Sequence, residues 1–568
     1  MTLDKFEPLT EAERKVIAGL GSGLTTVLGD GTLPGESAGE DRQVRASLIR
    51  WLALGAPGDD SVRLHEKGLR IKGALVVSDG SADPVLKDQA TPGLDLEGCT
   101  LAHDLALLNC CFKHAPFLLD VRVQSLFLSR SALPGLLADR LEARGDMILR
   151  GVHATGEVRL PGAGIGGVLD CAGGHFENAG GWALTADGAR NTGALFWRRG
   201  SHAKGTIDLT AAEIGHINDD PGCWPGRGHL VLNRCLYGAF TGKGVSGAER
   251  IRWLDLQTPE RFGAEFWPQP WEHCARVLRE MGHGEDARQV LIAKEERQRR
   301  VKRQITAARL TGARLRKRLE LVKNAGEEET CSQAIRSAIV EFENSADPRR
   351  NAVEDQVNAA SDLRHHNLQQ KSGDAEGIIA QVAAKADRLG TRAADPARAA
   401  QSAVTEAWLA LAGLRLRDAL LSTSIAYGHR PLRAVGWLAA LWIVGALMFG
   451  IAFGNGAFKP NNAFILARPD WAQCEAEGDR RGDHPSTLDC YRAQPGAAGY
   501  PAFNAALYSL DTLLPVVDLE VQDYWVPDAR AAPLARWYLW AHIAAGWALT
   551  LLAVAGFSGL VQSRASEE

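Results

Sequence analysis

Residues 156–178 read GEVRLPGAGIGGVLDCAGGHFEN, with two apolar-x-apolar triplets, Val158/Leu160 and Leu169/Cys171, each followed by small or turn-forming residues. Side chains alternate along extended chain, so each triplet spells a short strand with two inward residues and then a turn. The unit recurs outward in both directions. Leu69/Ile71, Leu94/Leu96, Leu105/Leu107, Phe117/Leu119 and Leu126/Leu128 precede it, and Trp182/Leu184, Leu195/Trp197 and Ile207/Leu209 follow. Most neighbouring triplets lie about 9 to 13 residues apart, too close for helical crossovers between parallel strands. The spacing suits a chain wound into a solenoid whose coils stack strand on strand. Residues 64–265 are therefore read as a β-helix, with a bulged coil expected at 133–150, where the triplets lapse. A β-sandwich of short strands shares the spacing and stays open as the rival fold.

Gly162, Gly164, Gly166 and Gly167 look like a phosphate-cradling loop. A dinucleotide fingerprint needs a helix next and an acidic residue about 20 positions on, whereas another strand triplet follows here. The glycines are read as turn positions. Neither a G-x-S-x-G elbow nor H-E-x-x-H occurs. Cys171 with His175, or Cys223 with His229 and Cys235, could meet on one coil face, but their spacing does not define a tetrahedral site. No catalytic, cofactor-binding or metal-binding residues are assigned.

Helices flank the strands. Thr10 and Glu13 have capping-box spacing at the head of 9–20, and Val44, Leu48, Ile49 and Leu52 recur at helical intervals in 41–54, so 1–63 reads as a helical cap. After Phe266, a stripe of Trp271, Cys274, Ala275, Leu278 and Met281, a turn at 282–284, and a stripe of Ala287, Val290, Leu291 and Ala293 predict a hairpin that closes the other end. Residues 294–323 carry 12 Lys and Arg against three Glu. They fit a basic helix against anionic lipid, or equally a solvated helix or coiled coil. Residues 331–400 read as mobile helices or a linker, and 401–433 as a membrane-surface helix with an elbow at Tyr427, His429, Arg430 and Pro431.

Two uncharged apolar stretches, 434–453 and 537–561, are each long enough to cross a bilayer. They predict a transmembrane hairpin over 434–568, with an external loop at 454–536. Arg415, Arg417, Arg430 and Arg433 crowd the approach to the first span, which places both termini in the cytoplasm and the protein in the cell membrane. The opening MTLDKFEPLT contains acids and no apolar core, so the late helices must carry targeting. Cys474 and Cys490 are the loop's two cysteines, and a disulfide between them is compatible with an oxidising exterior. The other eight, Cys99, Cys110, Cys111, Cys171, Cys223, Cys235, Cys274 and Cys331, read as small buried hydrophobes.

Within the loop, 503–519 is apolar again, with Tyr508, Ser509, Asp511, Thr512, Pro515 and Asp518 along it. Helix, short apolar segment, helix is the layout of two-pass cation channels. Asp511, Thr512 and Asp518 would offer oxygen ligands if several chains met around an axis, although the glycine-bearing carbonyl filter of potassium channels is missing. An amphipathic helix resting on the outer leaflet is the other reading, and the one favoured. Trp525, Trp537, Tyr538 and Trp540 would form an aromatic belt. His542 is an ionisable residue inside the second span, and Gly450 with Gly454 makes a G-x-x-x-G. Net charge is −4 over 568 residues, without the basic balance of nucleic-acid binders.

GEVRLPGAGIGGVLDCAGGHFEN, ARVLREMGHGEDARQVLIAK, YGHRP and YSLDTLLPVVDL together resemble bacterial β-helix membrane proteins related to pentapeptide-repeat proteins, commonly labelled membrane-associated oxidoreductases. The resemblance spans most of the chain. Its label implies a redox cofactor, for which no binding residues are found, so that activity is not carried over. The expectation is a non-enzymatic, membrane-anchored β-helix scaffold for an unidentified protein partner. An oligomeric channel gated by the β-helix is the alternative, and the labelled oxidoreductase the third.

Overall fold

The computed structural model describes residues 2–78, 93–325, 396–477, 487–529 and 533–557. They fall into two compact units that divide between Val301 and Lys302. The expected linker at 331–400 lies outside the described residues as far as 395, as does Cys331.

The first unit is a β-solenoid of about six turns. All its strand pairings are parallel, which excludes the sandwich. Leu105, Leu126, Met147, Leu169, Leu195, Ile217 and Phe240 stack in one column, so a coil takes 21 to 26 residues. Three more columns complete each coil. Leu136, Val158, Leu184, Ile207 and Leu230 form one; Val123, Ala143, Ile165, Asn191, Ile214 and Tyr237 the next; Leu133, Ala154, Phe176 and Ala203 the last. Four sides to a coil leave about five residues to a side. All four inward columns join one continuous core.

The coil through 133–150 is in regular register, contrary to expectation. Register shifts come two coils later, between Glu177 and Leu184 and between Asn191 and Ala194, where the strands lengthen. The glycine-rich loop is explained by stacking. Gly162 turns a corner at φ +65°, and a Cβ on Gly166 would overlap the Arg144 carbonyl of the coil below. Outside, charges pair across coils at an offset of 20 residues: Asp120 with Arg140 at 2.6 Å, Arg122 with Glu142 at 3.0 Å, Asp139 with Arg159 at 2.7 Å, and Arg150 with Asp170. Exposed pairs like the first two are screened by solvent and add little to stability.

At the N-terminal end, α1 (Glu11–Gly19) carries the expected Thr10/Glu13 capping box. The second expected helix is shorter than its pattern: α2 spans Ala46–Ala53, while Gln43–Arg45 is a strand on Leu75–Val77. Glu13 holds Arg45 through both carboxylate oxygens, at 2.8 and 2.6 Å, and that contact fixes the strand where periodicity alone reads helix. At the other end α3 (Gly247–Leu254), α4 (Pro268–Glu280) and the first part of α5 (Gly284–Ala325) pack onto the last coil.

His273 on α4 joins this end cap to the coil. Arg276 donates to its Nδ1 at 2.6 Å, and its Nε2 lies against the Tyr237 backbone, 2.8 Å from the amide nitrogen and 2.9 Å from the carbonyl oxygen. Burial holds its pKa below the ordinary histidine value. A depressed histidine pKa means that the unfolded chain binds the extra proton first, so stability is lost as pH falls below about 6.5. The first unit is expected to unfold at lower temperature at pH 5 than at pH 7, and His273→Gln to flatten that dependence; calorimetric scans across this range check it.

The second unit holds the end of α5, α6 (Pro396–Ser424), α7 (Leu432–Gly454), α8 (Ala463–Leu466), α9 (Pro469–Glu477), α10 (Thr487–Ala493), α11 (Ala505–Leu513), α12 (Val521–Tyr524) and α13 (Pro533–Phe557). α7 and α13 are long and apolar enough to cross a membrane. The elbow between α6 and α7 is a tight turn in which Ala426 and Tyr427 take positive φ and Ile425 packs against Ala434 and Ala553. Cys474 on α9 and Cys490 on α10 form a disulfide, with Cα atoms 5.6 Å apart.

Candidate functional site

α7 and α13 run antiparallel. The Asp528 amide donates to the Ala457 carbonyl at one end, 2.8 Å, and Pro431 lies beside Gly556 at the other. α11 enters the cleft between them from the first end. Its start, capped by Asn504, passes Gly450, and Ser509 Oγ donates to the Trp442 carbonyl at 2.9 Å. Its last turn reaches Gly546, close enough that a Cβ there would overlap the Leu513 carbonyl oxygen. Trp442 and Gly546 stand near the midpoints of helices of 23 and 25 residues. α11 therefore stops about halfway along both.

The chain then turns back. Asp511 is buried, and its two carboxylate oxygens accept from the amides of Leu519 at 2.7 Å and Gln522 at 2.9 Å, folding 514–520 against the end of α11. α12 and the strand Trp525–Pro527 follow, the latter paired antiparallel with Phe458–Pro460 beyond the end of α7. The segment enters and leaves by the same end. Tyr508, Phe449, Phe458 and Trp525 pack as an aromatic core around its entry.

His542 is buried on α13, with Nε2 3.1 Å from the Ser509 carbonyl and Nδ1 3.4 Å from the Tyr538 hydroxyl. With the proton on Nε2, the imidazole donates to α11 and accepts from Tyr538. It thereby ties α11 to α13 beside Ser509 Oγ, which lies 3.3 Å from Nε2.

The residues expected as ion ligands divide. Thr512 Oγ1 donates to the Tyr508 carbonyl at 2.8 Å, Asp511 accepts from the turn amides, and both side chains are buried away from the exposed tip. Pro515 is half-buried, while Asp518 is exposed at the tip with Val516, Val517, Leu519 and Glu520. The amphipathic-helix expectation for 503–519 meets a different geometry: Tyr508, Ser509, Asp511, Thr512 and Leu513 are all buried as a wedge between α7 and α13. Trp525, expected in an aromatic belt, is likewise buried and donates to the Pro501 carbonyl, leaving Trp537 and Trp540 exposed. Gly454 of the G-x-x-x-G has no neighbour within 4 Å. Close approach is made at Gly445, where a Cβ would overlap Ser509, and at Gly546, which sequence reading passed over.

In the solenoid, Cys171 points into the core while His175 stands outside in a column with His153 and His202, so Cys171 and His175 do not converge. Burial pushes the thiols of Cys110, Cys235 and Cys274 up to about 12, as befits core residues rather than nucleophiles. Among the described residues no group of three or more His, Cys, Asp or Glu is gathered as a metal site. Comparison of the chain with protein-family models, curated proteins and solved structures finds no match.

Proposed function

We propose that the second unit is a two-pass membrane module whose re-entrant segment, repeated around the axis of an oligomer, lines a cation-conducting pore, with the solenoid as its cytoplasmic platform. The carrying observation is the wedge. α11 ends halfway along α7 and α13 and hands over to irregular backbone at 514–520. Non-helical backbone at that depth in a bilayer is tolerated only where protein buries it or water fills the space beside it. Copies of this chain meeting tip to tip supply both. The exposed carboxylates of Asp518 and Glu520 would give such a ring a cation preference.

Orientation follows from the flanks. Arg430 and Arg433 at the start of α7, and a disulfide suited to an oxidising outer face, support a cytoplasmic solenoid and cytoplasmic termini. Four-sided coils with about five residues to a side support the kinship with pentapeptide-repeat proteins. The oxidoreductase label draws support from no residue cluster described above and is not part of the proposal. A scaffold role is the second reading, favoured by the flat exposed solenoid sides such as the histidine column, whose rings lie 6.3 and 6.2 Å apart. Its test is capture of one defined partner by the full-length protein, lost on substituting one solenoid side.

Planar-bilayer recording of the purified full chain tests the pore. Asp518→Asn is expected to reduce cation over anion selectivity with conduction retained, and Asp511→Asn to abolish conduction by releasing the turn. A monomer in detergent, or silence in a verified oligomer, would sink the proposal.

A further inference from the structure

We propose that the cleft between α5 and α6 is a binding site for the headgroup of an anionic phospholipid. This rests on reading α7 as a membrane span. The two helices meet antiparallel: Arg303 pairs with Asp418 at one end of the seam, and Arg314 lies towards Trp408 at the other. Ala307 and Ala412 face each other between them and are too small to fill the seam, which leaves a cleft of about 440 Å³. That is ample for a phosphodiester and the first carbons of its chains.

The lining is divided as an amphiphile is divided. Leu310 and Leu411 form an apolar floor, both buried, and the Trp408 indole forms one wall. Arg314 from α5 and Arg415 from α6 bring one guanidinium each to the rim. Among the described residues no carboxylate lines the cleft, and Asp418, the acid on the same seam, pairs with Arg303. Arg415 forms no ion pair among the described residues. One arginine from each helix lines the cleft, and a planar guanidinium is suited to phosphate oxygens.

The source of the phosphate is indicated by the neighbouring face of α6. Leu409, Leu416 and Leu420 are more than half exposed and form one stripe about 100° around the helix from the cleft residues, at 100° per residue. A stripe of exposed leucines flanked by arginines is how a helix lies in the interface of a leaflet. The end of α6 is also fixed to the start of α7, since Trp437 Nε1 donates to the Thr423 carbonyl at 3.1 Å. The cleft therefore opens beside the leaflet that α7 enters, and a soluble anion would leave both the leucine stripe and the apolar floor unused.

Native mass spectrometry of the full-length protein, titrated in detergent with phosphatidylglycerol or phosphatidylcholine, tests this. Phosphatidylglycerol is expected to be retained at least about tenfold better, and Arg415→Ala and Arg314→Ala each to cut its retention about fivefold, given what one basic residue contributes at an anionic surface. Arg415→Lys should keep most of it. Arg417→Ala, about 160° around α6 from Arg415 counted as two residues of 100° each, should change nothing. Equal retention of the two lipids, an equal loss in Arg417→Ala, or displacement by millimolar inorganic phosphate would overturn the site. Recovery of the protein from cells without detergent would instead overturn the membrane reading beneath it.

Discussion

Gly546→Val is expected to silence the proposed pore while leaving the solenoid unit at its wild-type unfolding temperature. A Cβ at position 546 would overlap the Leu513 carbonyl oxygen and lie 2.8 and 3.1 Å from Leu513 C and Cα. These are backbone atoms at the end of a helix, so no rotamer change relieves the contact, and α11 must shift as a body. Overpacking of this kind costs about 1 to 3 kcal/mol, and more where a backbone must move. The shift would also strain the Ser509 bond to the Trp442 carbonyl and the His542 contact, and each buried polar group left unpaired adds about 1 to 3 kcal/mol. The turn held by Asp511 moves with the helix, so its tip leaves the axis where copies would meet. Gly454→Val is the matched control, because nothing lies within 4 Å of a Cβ there. Conductance in Gly546→Val equal to that in Gly454→Val would show that the wedge does not set the pore.

These two glycines show where sequence reading stopped. G-x-x-x-G is a motif about two helices, and it pointed to Gly450 and Gly454 because the pattern considers α7 alone. The close approaches involve three helices, with Ser509 of α11 meeting Gly445 across 64 residues of sequence and Leu513 meeting Gly546 across 33. No local spacing encodes that. Asp511 was legible as important, since a carboxylate in so apolar a segment needs a reason. Its role was not, because the amides it binds, Leu519 and Gln522, carry no side-chain signature.

The solenoid was legible because two of its four sides carry large residues inward. Leu105/Leu107, Leu126/Leu128 and Leu169/Cys171 lie on one of these sides, and Val158/Leu160 and Ile207/Leu209 on another; the expected pair Phe117/Leu119 is out of phase, because Leu118 is the inward residue there and its two neighbours are half-buried. The remaining sides mix large inward residues such as Val123, Ile165, Leu133 and Phe176 with Ala143, Ala154, Ser131, Asn191 and Ala203, so they do not register as apolar triplets on coil after coil. The 9-to-13-residue interval was therefore half a coil. The missing period was present in the charges, at Asp120/Arg140, Arg122/Glu142 and Asp139/Arg159, each 20 apart. Opposite charges at a constant offset beyond helical range report stacked neighbours, as cross-strand pairs do in a sheet. The apparent bulge at 133–150 arose from the same blindness: Ala138, Ala143 and Leu149 keep the register there with smaller or differently placed side chains.

Asp219→Leu is expected to lower the unfolding temperature of the solenoid unit by about 10 °C, the largest effect foreseen for one side chain there. Along the inward column Leu128, Leu149, Cys171 and Trp197 are apolar, and the next rung, opposite Trp197, is Asp219. A carboxylate at that point in a core is tolerable only if it is paired. Arg250, delivered by α3 under its Ser246/Glu249 capping box, binds it at 3.0 and 2.8 Å with both partners 1% exposed, and Trp224 Nε1 donates to the same carboxylate at 2.7 Å. The guanidinium also lies 3.8 Å over the Phe240 ring. Removing the acid alone leaves a buried cation without a counter-charge, which costs about 3 to 5 kcal/mol. Replacing both ends, as Asp219→Leu with Arg250→Met, removes the uncompensated charge and should recover most of the loss, since apolar pairs in such places are often neutral or better. Tryptophan fluorescence will report the transition, because Trp197, Trp224 and Trp253 stack across this end at 5.7 and 5.6 Å. If Asp219→Leu and the double variant unfolded at the same temperature, the pair would be a passenger. If only the single variant falls, the ion pair is the latch by which α3 closes the open end of the coil stack, where the apolar column has no further coil to meet.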